Sequence, residues 1–200
     1  HFNFEHDILF FRISSDIIPF ASHPVLTIDW SQYFKDSLKE IGLFIKKNNM
    51  RISMHPDQFI VLNSKKKDVV KRSIEELKYH AVFLDALGLD STAKIQLHVG
   101  GVYNDKQDSL NRFINNYEPL SEQIKKRLVI ENDDKSYSAK DCIQISKNNT
   151  IPIVFDVLHH RINNHNESVY SILNQIASTW KNEDGIPMVD YSSQEKDEKT

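Results

Sequence analysis

The chain has 200 residues, 40% of them hydrophobic and 10% aromatic, enough apolar material for a packed core without disulfides or a structural metal. Lys+Arg 25 against Asp+Glu 28 leaves a net charge of −3, which argues against disorder and against a molecule-wide electrostatic grip on nucleic acid, so any DNA contact must be a local patch. The single cysteine, Cys142, excludes a disulfide framework and a thiolate zinc site and fits a reducing, cytoplasmic setting, and no apolar run has the length of a membrane span.

Short β-branched and aromatic runs recur at residues 8–13, 51–54, 94–97, 128–130, 151–155 and 186–189. Several are apolar on both faces, as strands of a parallel sheet sandwiched between layers must be. The gaps between them carry helical periodicity. Phe34, Leu38, Ile41 and Ile45 form the first stripe, and Val69, Val70, Ile74, Leu77, Ala81 and Leu84 the second. Leu110, Phe113, Ile114 and Tyr117 follow, and Val169, Ile172, Leu173, Ile176 and Trp180 form the last. Ser138-Ala139-Lys140-Asp141 has capping-box spacing, and Ser64 and Asp105 are expected N-caps. Trp30, Trp180 and most of the phenylalanines are expected in the core. The basic runs Lys65-Lys66-Lys67 with Lys71-Arg72, and Lys125-Lys126-Arg127, read as solvated helix faces; the first has a phosphate-contacting alternative.

Strands alternating with helices imply an α/β fold with a parallel sheet and right-handed crossovers. No glycine-rich phosphate cradle follows any strand, Gly100-Gly101 being too short, so no nucleotide cofactor is expected. Uneven units linked one after another suit a (β/α)8 TIM barrel. Eight units take about 250 residues, so residues 1–200 are expected to form one TIM-barrel domain with about six βα units. The start at His1 and the charged stretch at 194–200 suggest a segment of a longer chain, lacking the first strand and the last unit.

In such a barrel, chemistry sits at the C-terminal ends of the strands. There the sequence places His55, His98, Glu131, Asp156 (with His159 three residues on) and Asp190, after five consecutive strands. Taken singly, each reads as a structural histidine or a capping carboxylate. Taken together they converge on one mouth. Imidazole and carboxylate without thiolate suit Zn²⁺, Mn²⁺ or Fe²⁺ rather than Ca²⁺. Glu131, central among the strands, is placed to bridge two ions, an arrangement that supports in-line displacement at phosphorus. Arg12, Ser14, Ser15 and Asp16 end the first strand at the same mouth, either as substrate contacts or as a structural network.

Phe11-Arg12-Ile13-Ser14-Ser15-Asp16, His55-Pro56-Asp57-Gln58-Phe59, Leu97-His98-Val99-Gly100-Gly101, Ile130-Glu131-Asn132-Asp133 and Phe155-Asp156-Val157-Leu158-His159-His160 stand in the order and spacing of the UV damage endonucleases. The sequence resembles that family over essentially its whole length. The resemblance implies a barrel like that of endonuclease IV, acting on double-stranded DNA that carries UV photoproducts. Incision would fall immediately 5′ to the lesion and leave a 3′-hydroxyl and a 5′-phosphate. It also implies a divalent cluster, usually Mn²⁺, with Zn²⁺, Fe²⁺ or Mg²⁺ as alternatives, and no protein nucleophile. By the family pattern His55, His98 and Glu131 hold one ion, Glu131 and Asp156 belong to a second, and His159 belongs to a third. Glu131 and Asp156 are then the catalytic carboxylates. Gln58 and Phe59 match a Gln-Tyr pair that probes the helix opposite the flipped lesion; Phe keeps the stacking surface and loses the hydroxyl. Arg12 and Ser15 are the remaining candidate DNA contacts. Met188-Val189-Asp190 stands where some members carry Lys-x-His, so Asp190 can still ligate through oxygen while the lysine has no counterpart. Later family ligands would fall after residue 200, so this segment alone is expected to bind metal weakly and to nick little. Two rival readings are a metal-dependent sugar isomerase or epimerase of the xylose-isomerase kind, and a non-catalytic damaged-DNA-binding module.

Overall fold

Each two-faced apolar run needs cover on both sides, and the intervening helices and the barrel interior supply it. The computed structural model describes residues 1–193, so the charged stretch at 194–200 lies outside the described residues. In chain order the elements are α1 (Phe2–Glu5), β1 (Phe10–Ser14), α2 (Trp30–Tyr33), α3 (Lys35–Lys47), β2 (Arg51–His55), α4 (Lys67–Ala86), β3 (Lys94–His98) and α5 (Lys106–Tyr117). There follow α6 (Glu122–Lys125), β4 (Leu128–Glu131), α7 (Ala139–Asn149), β5 (Ile153–Asp156), α8 (Val157–Ile162), α9 (Val169–Ala177) and β6 (Val189–Asp190). All neighbouring strands pair in parallel, in the order β1-β2-β3-β4-β5-β6. Arg12 of β1 reaches Asp190 of β6 at 2.8 Å, so the sheet curls until its first and last strands meet at the mouth. This is a partial TIM barrel, as the alternation of elements predicts.

Strand parity divides the interior from the outer layer. On β3, Ile95 and Leu97 join the core beneath the helices, with Leu77, Leu84 and Phe113. Lys94, Gln96 and His98 share the opposite, inner face. Inside the barrel a small apolar plug of Val129, Val154, Trp180 and Met188 separates the two ends. The Trp180 indole N–H donates to the Ile153 carbonyl at 2.7 Å, which offsets the cost of burying its one polar atom. At the strand N-terminal end, the buried Lys94 ammonium donates to Asp184 at 2.6 Å.

Local signals hold where the chemistry is self-contained. The Ser138–Asp141 capping box forms, and the Asp105 side chain caps α5 by accepting from the Asp108 N–H at 2.9 Å. Ser64 does not cap α4; its hydroxyl accepts from Lys66 N–H in a turn, and the helix opens after Lys66 instead. β5 begins at Ile153 rather than 151, because Pro152 has no N–H to donate to a ladder. β6 shrinks to two residues for the same reason at Pro187. Leu38 and Ile45 of α3 are buried, whereas Phe34 and Ile41 are exposed; β1 has one strand partner among the described residues. The expectation for phenylalanine also fails there: Phe2, Phe4, Phe10, Phe11, Phe20 and Phe34 are all exposed, in the part of the described chain with the least cover. Trp180 is buried, and Trp30 is partly buried against Tyr79 and Phe83.

A β-carbon added at Gly42 on α3 would lie 1.7 Å from the Leu87 carbonyl oxygen at the end of α4. Gly42→Ala is therefore expected to force the two helices apart and cost about 3 kcal/mol, read as a lower urea midpoint with an unchanged m-value.

Candidate metal centre

β2, β3, β4 and β5 each end with a side chain aimed at one point. The register pairs Ser14 with His55 and His98 with Glu131, so these strands end level with one another. Glu131 is 2% exposed at the centre of the cluster. Its Oε2 lies 3.2 Å from His55 Nε2 and 3.5 Å from His98 Nε2, and its Oε1 lies 3.6 Å from His159 Nδ1. Among the described residues two donor groups result, His55–His98–Glu131 and Glu131–Asp156–His159, each with ligand atoms within 4.8 Å of one another. Glu131 belongs to both. The family pattern separates His159 from Asp156; here the two share a group, because Asp156 caps α8 through the His159 N–H at 2.7 Å.

The His55 tautomer fits a cation. The His55 Nδ1–H donates to the Pro56 carbonyl at 2.8 Å, so in the neutral ring Nε2 turns a lone pair toward Glu131. Two acceptors 3.2 Å apart need a proton or a cation between them. Without a cation the proton supplies it. Burial opposes a charged His55, but the hydrogen bond to Glu131, the bond to the Pro56 carbonyl and the Glu131 charge together outweigh it and raise its pKa. Burial likewise pushes Glu131 up, and the bond from His55 with the nearby His98 brings it below its ordinary value. At His98 burial dominates and lowers the pKa, leaving a neutral imidazole suited to ligation. His159 Nδ1, the ring atom that faces Glu131 and Asp156 at 3.6 and 3.8 Å, also lies 2.9 Å from the Asn132 carbonyl, a contact that orients the ring.

Asp190 reaches the same mouth and belongs to neither donor group. Its carboxylate instead takes both bonds from Arg12 Nη2, at 2.8 and 2.9 Å. Arg12 thus acts within a structural network, while Ser15, half-buried, opens the short 3-10 turn after β1. His160, one residue beyond His159, is buried against Phe155.

Two residues here went unread in the sequence. The buried Asn132 amide clamps the Asp156 backbone, accepting from its N–H and donating to its carbonyl, both at 3.0 Å. Gln96 donates to Glu131 at 2.7 Å and to Asp190 at 2.6 Å. Its signal was strand parity, since it sits two residues before His98 on the same face.

Beside the cup, the β2–α4 loop turns at Asp57 and leaves Gln58 exposed and Phe59 71% exposed at its tip. The buried Asn63 anchors this loop by donating to the Gly101 carbonyl at 2.8 Å. Gly100, at φ +111, leaves room for that amide; a β-carbon there would lie 2.4 Å from Asn63 Oδ1. A groove of about 820 Å³ runs behind the tip, lined by Phe59, Lys65, Lys66, Arg72 and Tyr103 among others. A second cavity, about 760 Å³, opens at the opposite end of the strands near Arg51 and touches none of the donor residues.

Comparison with known proteins gives this geometry a family. The sequence matches the UV-endonuclease UvdE family over residues 1–200. It is 45% identical over 195 residues to the UV DNA damage endonuclease of Clostridium perfringens, covering 96% of this chain and 47% of that one. The enzyme of that name from Bacillus thuringiensis subsp. konkukian is 38% identical over 193 residues, covering 96% and 61%. The chain therefore spans about half to three fifths of the length of these relatives. The crystal structure of SacUVDE superposes with a TM-score of 0.94 at 53% identity, over 99% of this chain and 67% of that one. Endonuclease IV from Thermus thermophilus superposes at 0.62 with 11% identity, over 88% and 64%, a likeness of fold alone. A D-psicose 3-epimerase from Clostridium cellulolyticum does so at 0.65 with 14% identity, over 88% and 62%, again a likeness of fold alone. With the motifs at the strand ends matched along the whole sequence, the chain belongs to the UV-endonuclease UvdE family.

Proposed function

We propose that the protein is a divalent-metal-dependent DNA repair endonuclease of the cytoplasm, which incises the phosphodiester bond immediately 5′ to UV photoproducts in double-stranded DNA. The observation that carries this is Glu131, shared by two donor groups at one barrel mouth. His55, His98 and Glu131 would hold one cation, and Glu131, Asp156 and His159 a second; manganese suits this mixed nitrogen and oxygen set. When bound, the ions would supply Lewis acidity toward the phosphodiester and a more acidic water. The protein's own part is positioning. Pro56 fixes the tautomer of His55, the Asn132 carbonyl orients the His159 ring, and Asp156 is held by its own helix cap. Phe59, exposed at the loop tip, would stack where a base has left the helix, with Gln58 beside it. Lys65, Lys66 and Arg72 line the adjoining groove and offer positive charge to a phosphate backbone.

The test is nicking of an end-labelled duplex, irradiated or not, by the whole protein with and without Mn²⁺. Metal-dependent cuts confined to the 5′ side of photoproducts are expected; intact irradiated duplex would overturn the reading. In the same assay Phe59→Ala is expected to weaken binding to irradiated duplex about tenfold through loss of one stacking surface. Because Phe59 is exposed, its stability should stay within about 0.5 kcal/mol of the unsubstituted protein.

A further inference from the structure

The geometry points to Gln96 as the positioning residue that sets the pose of Glu131, an inference that rests on reading the cup as a metal centre. Gln96 lies in the middle of β3 and is fully buried on the barrel's inner face. Packing alone does not call for an amide there: its register partner on β4 is Val129, part of the apolar plug. A buried amide is costly unless its polar atoms are bonded. Here all of them are. One N–H goes to Glu131 Oε2 at 2.7 Å, the other to Asp190 Oδ2 at 2.6 Å, and the oxygen accepts from Arg12 Nη2 at 2.9 Å.

These partners allow one orientation. Flipping the amide would set its oxygen against two carboxylates and its NH2 against a guanidinium. The side chain is therefore locked, and it joins β1, β3, β4 and β6 at one place inside the barrel. Glu131 gains a fixed neutral donor. Its neighbours His55, His98 and His159 belong to the donor groups themselves, whereas Gln96 belongs to neither. The Gln96 bond occupies one lone pair of Oε2 and leaves Oε1 facing His159, so it is compatible with a cation in either group. Without it the terminal torsion of Glu131, which has only broad intrinsic preferences, would be set by the imidazoles alone.

Outer partners of this kind change metal affinity by about 10- to 100-fold. The test titrates Mn²⁺ alone, by isothermal calorimetry, into the whole protein and its Gln96→Met and Gln96→Asn variants, with a metal-free urea melt of each. Gln96→Met keeps the length and removes every hydrogen bond. Gln96→Asn keeps the amide, retains polarity if the methionine variant fails to fold, and falls one methylene short of the two carboxylates. Both are expected to bind Mn²⁺ about 10- to 100-fold more weakly in the folded state. A purely structural role would lower the metal-free midpoint and leave the affinity within about twofold, and that result in either folded variant would overturn the inference alone. If the unsubstituted whole protein takes up no Mn²⁺, the metal reading falls and this inference falls with it.

Discussion

Glu131→Gln is expected to abolish divalent-metal uptake and to reduce incision by about a thousandfold or more, on the order of 4 kcal/mol of transition-state stabilisation. Size and polarity are preserved, so the effect would come from charge. Glutamine offers one neutral oxygen where the carboxylate offers two charged ones, and Glu131 is the one residue common to both donor groups. Its loss therefore disables both at once, whereas His98→Ala would remove a ligand from one. The fold should survive, because Gln96 can still donate to the side-chain oxygen and the apolar plug beneath is untouched. Calorimetry with Mn²⁺, nicking of irradiated duplex and a far-UV circular dichroism spectrum check the three statements separately. Incision at the normal rate by a folded Glu131→Gln protein would remove the metal mechanism.

Arg127→Met is expected to destabilise the protein by about 3–5 kcal/mol, the range for breaking a buried ion pair from one side. In the sequence Arg127 closes a basic run and reads as a solvated helix residue; in the structure it is fully buried. It stands just before β4 and ties down the turn after α4. Its guanidinium donates to the carbonyls of Asp90, Ala93 (3.1 Å) and Leu89 (2.7 Å) and to the Asp85 carboxylate. Methionine fills much of the space and leaves those acceptors without donors, the costly half of the asymmetry in buried hydrogen bonding. The urea midpoint at unchanged m-value measures it; a loss under about 1 kcal/mol would show that water replaces the guanidinium. The pair also has a pH signature. Burial pushes Asp85 up, but bonds from Gln123 and Arg127 hold its folded pKa below the ordinary value. Its contribution is therefore present at neutral pH and fades as the pH falls through that lowered value.

The strand-end residues were legible because strand parity and the parallel-barrel rule together fix where a side chain points. His55, His98, Glu131, Asp156 and His159 needed no tertiary detail to be grouped. Asn132 was not legible, and strand parity gave only the face of Gln96, since a neutral amide in a strand or loop shows no role until its partners are known. Arg127 failed for the complementary reason: a charge run looks solvated unless the chain brings carbonyls and a carboxylate around it. Asp190 shows the same limit, because which cation or ligand a carboxylate takes depends on a neighbour 178 positions away in sequence.

What the sequence determined by itself is the α/β alternation, the order of the strands and the set of donors at their ends. Periodicity and capping are local properties, and a parallel barrel converts local order into a common mouth. What only the tertiary structure decided is how the other donors divide: His159 with Asp156, and Asp190 with Arg12. Ligand grouping depends on ångström-scale distances across strands that are remote in sequence, and those distances exist only after the sheet has curled and its buried polar groups have found partners.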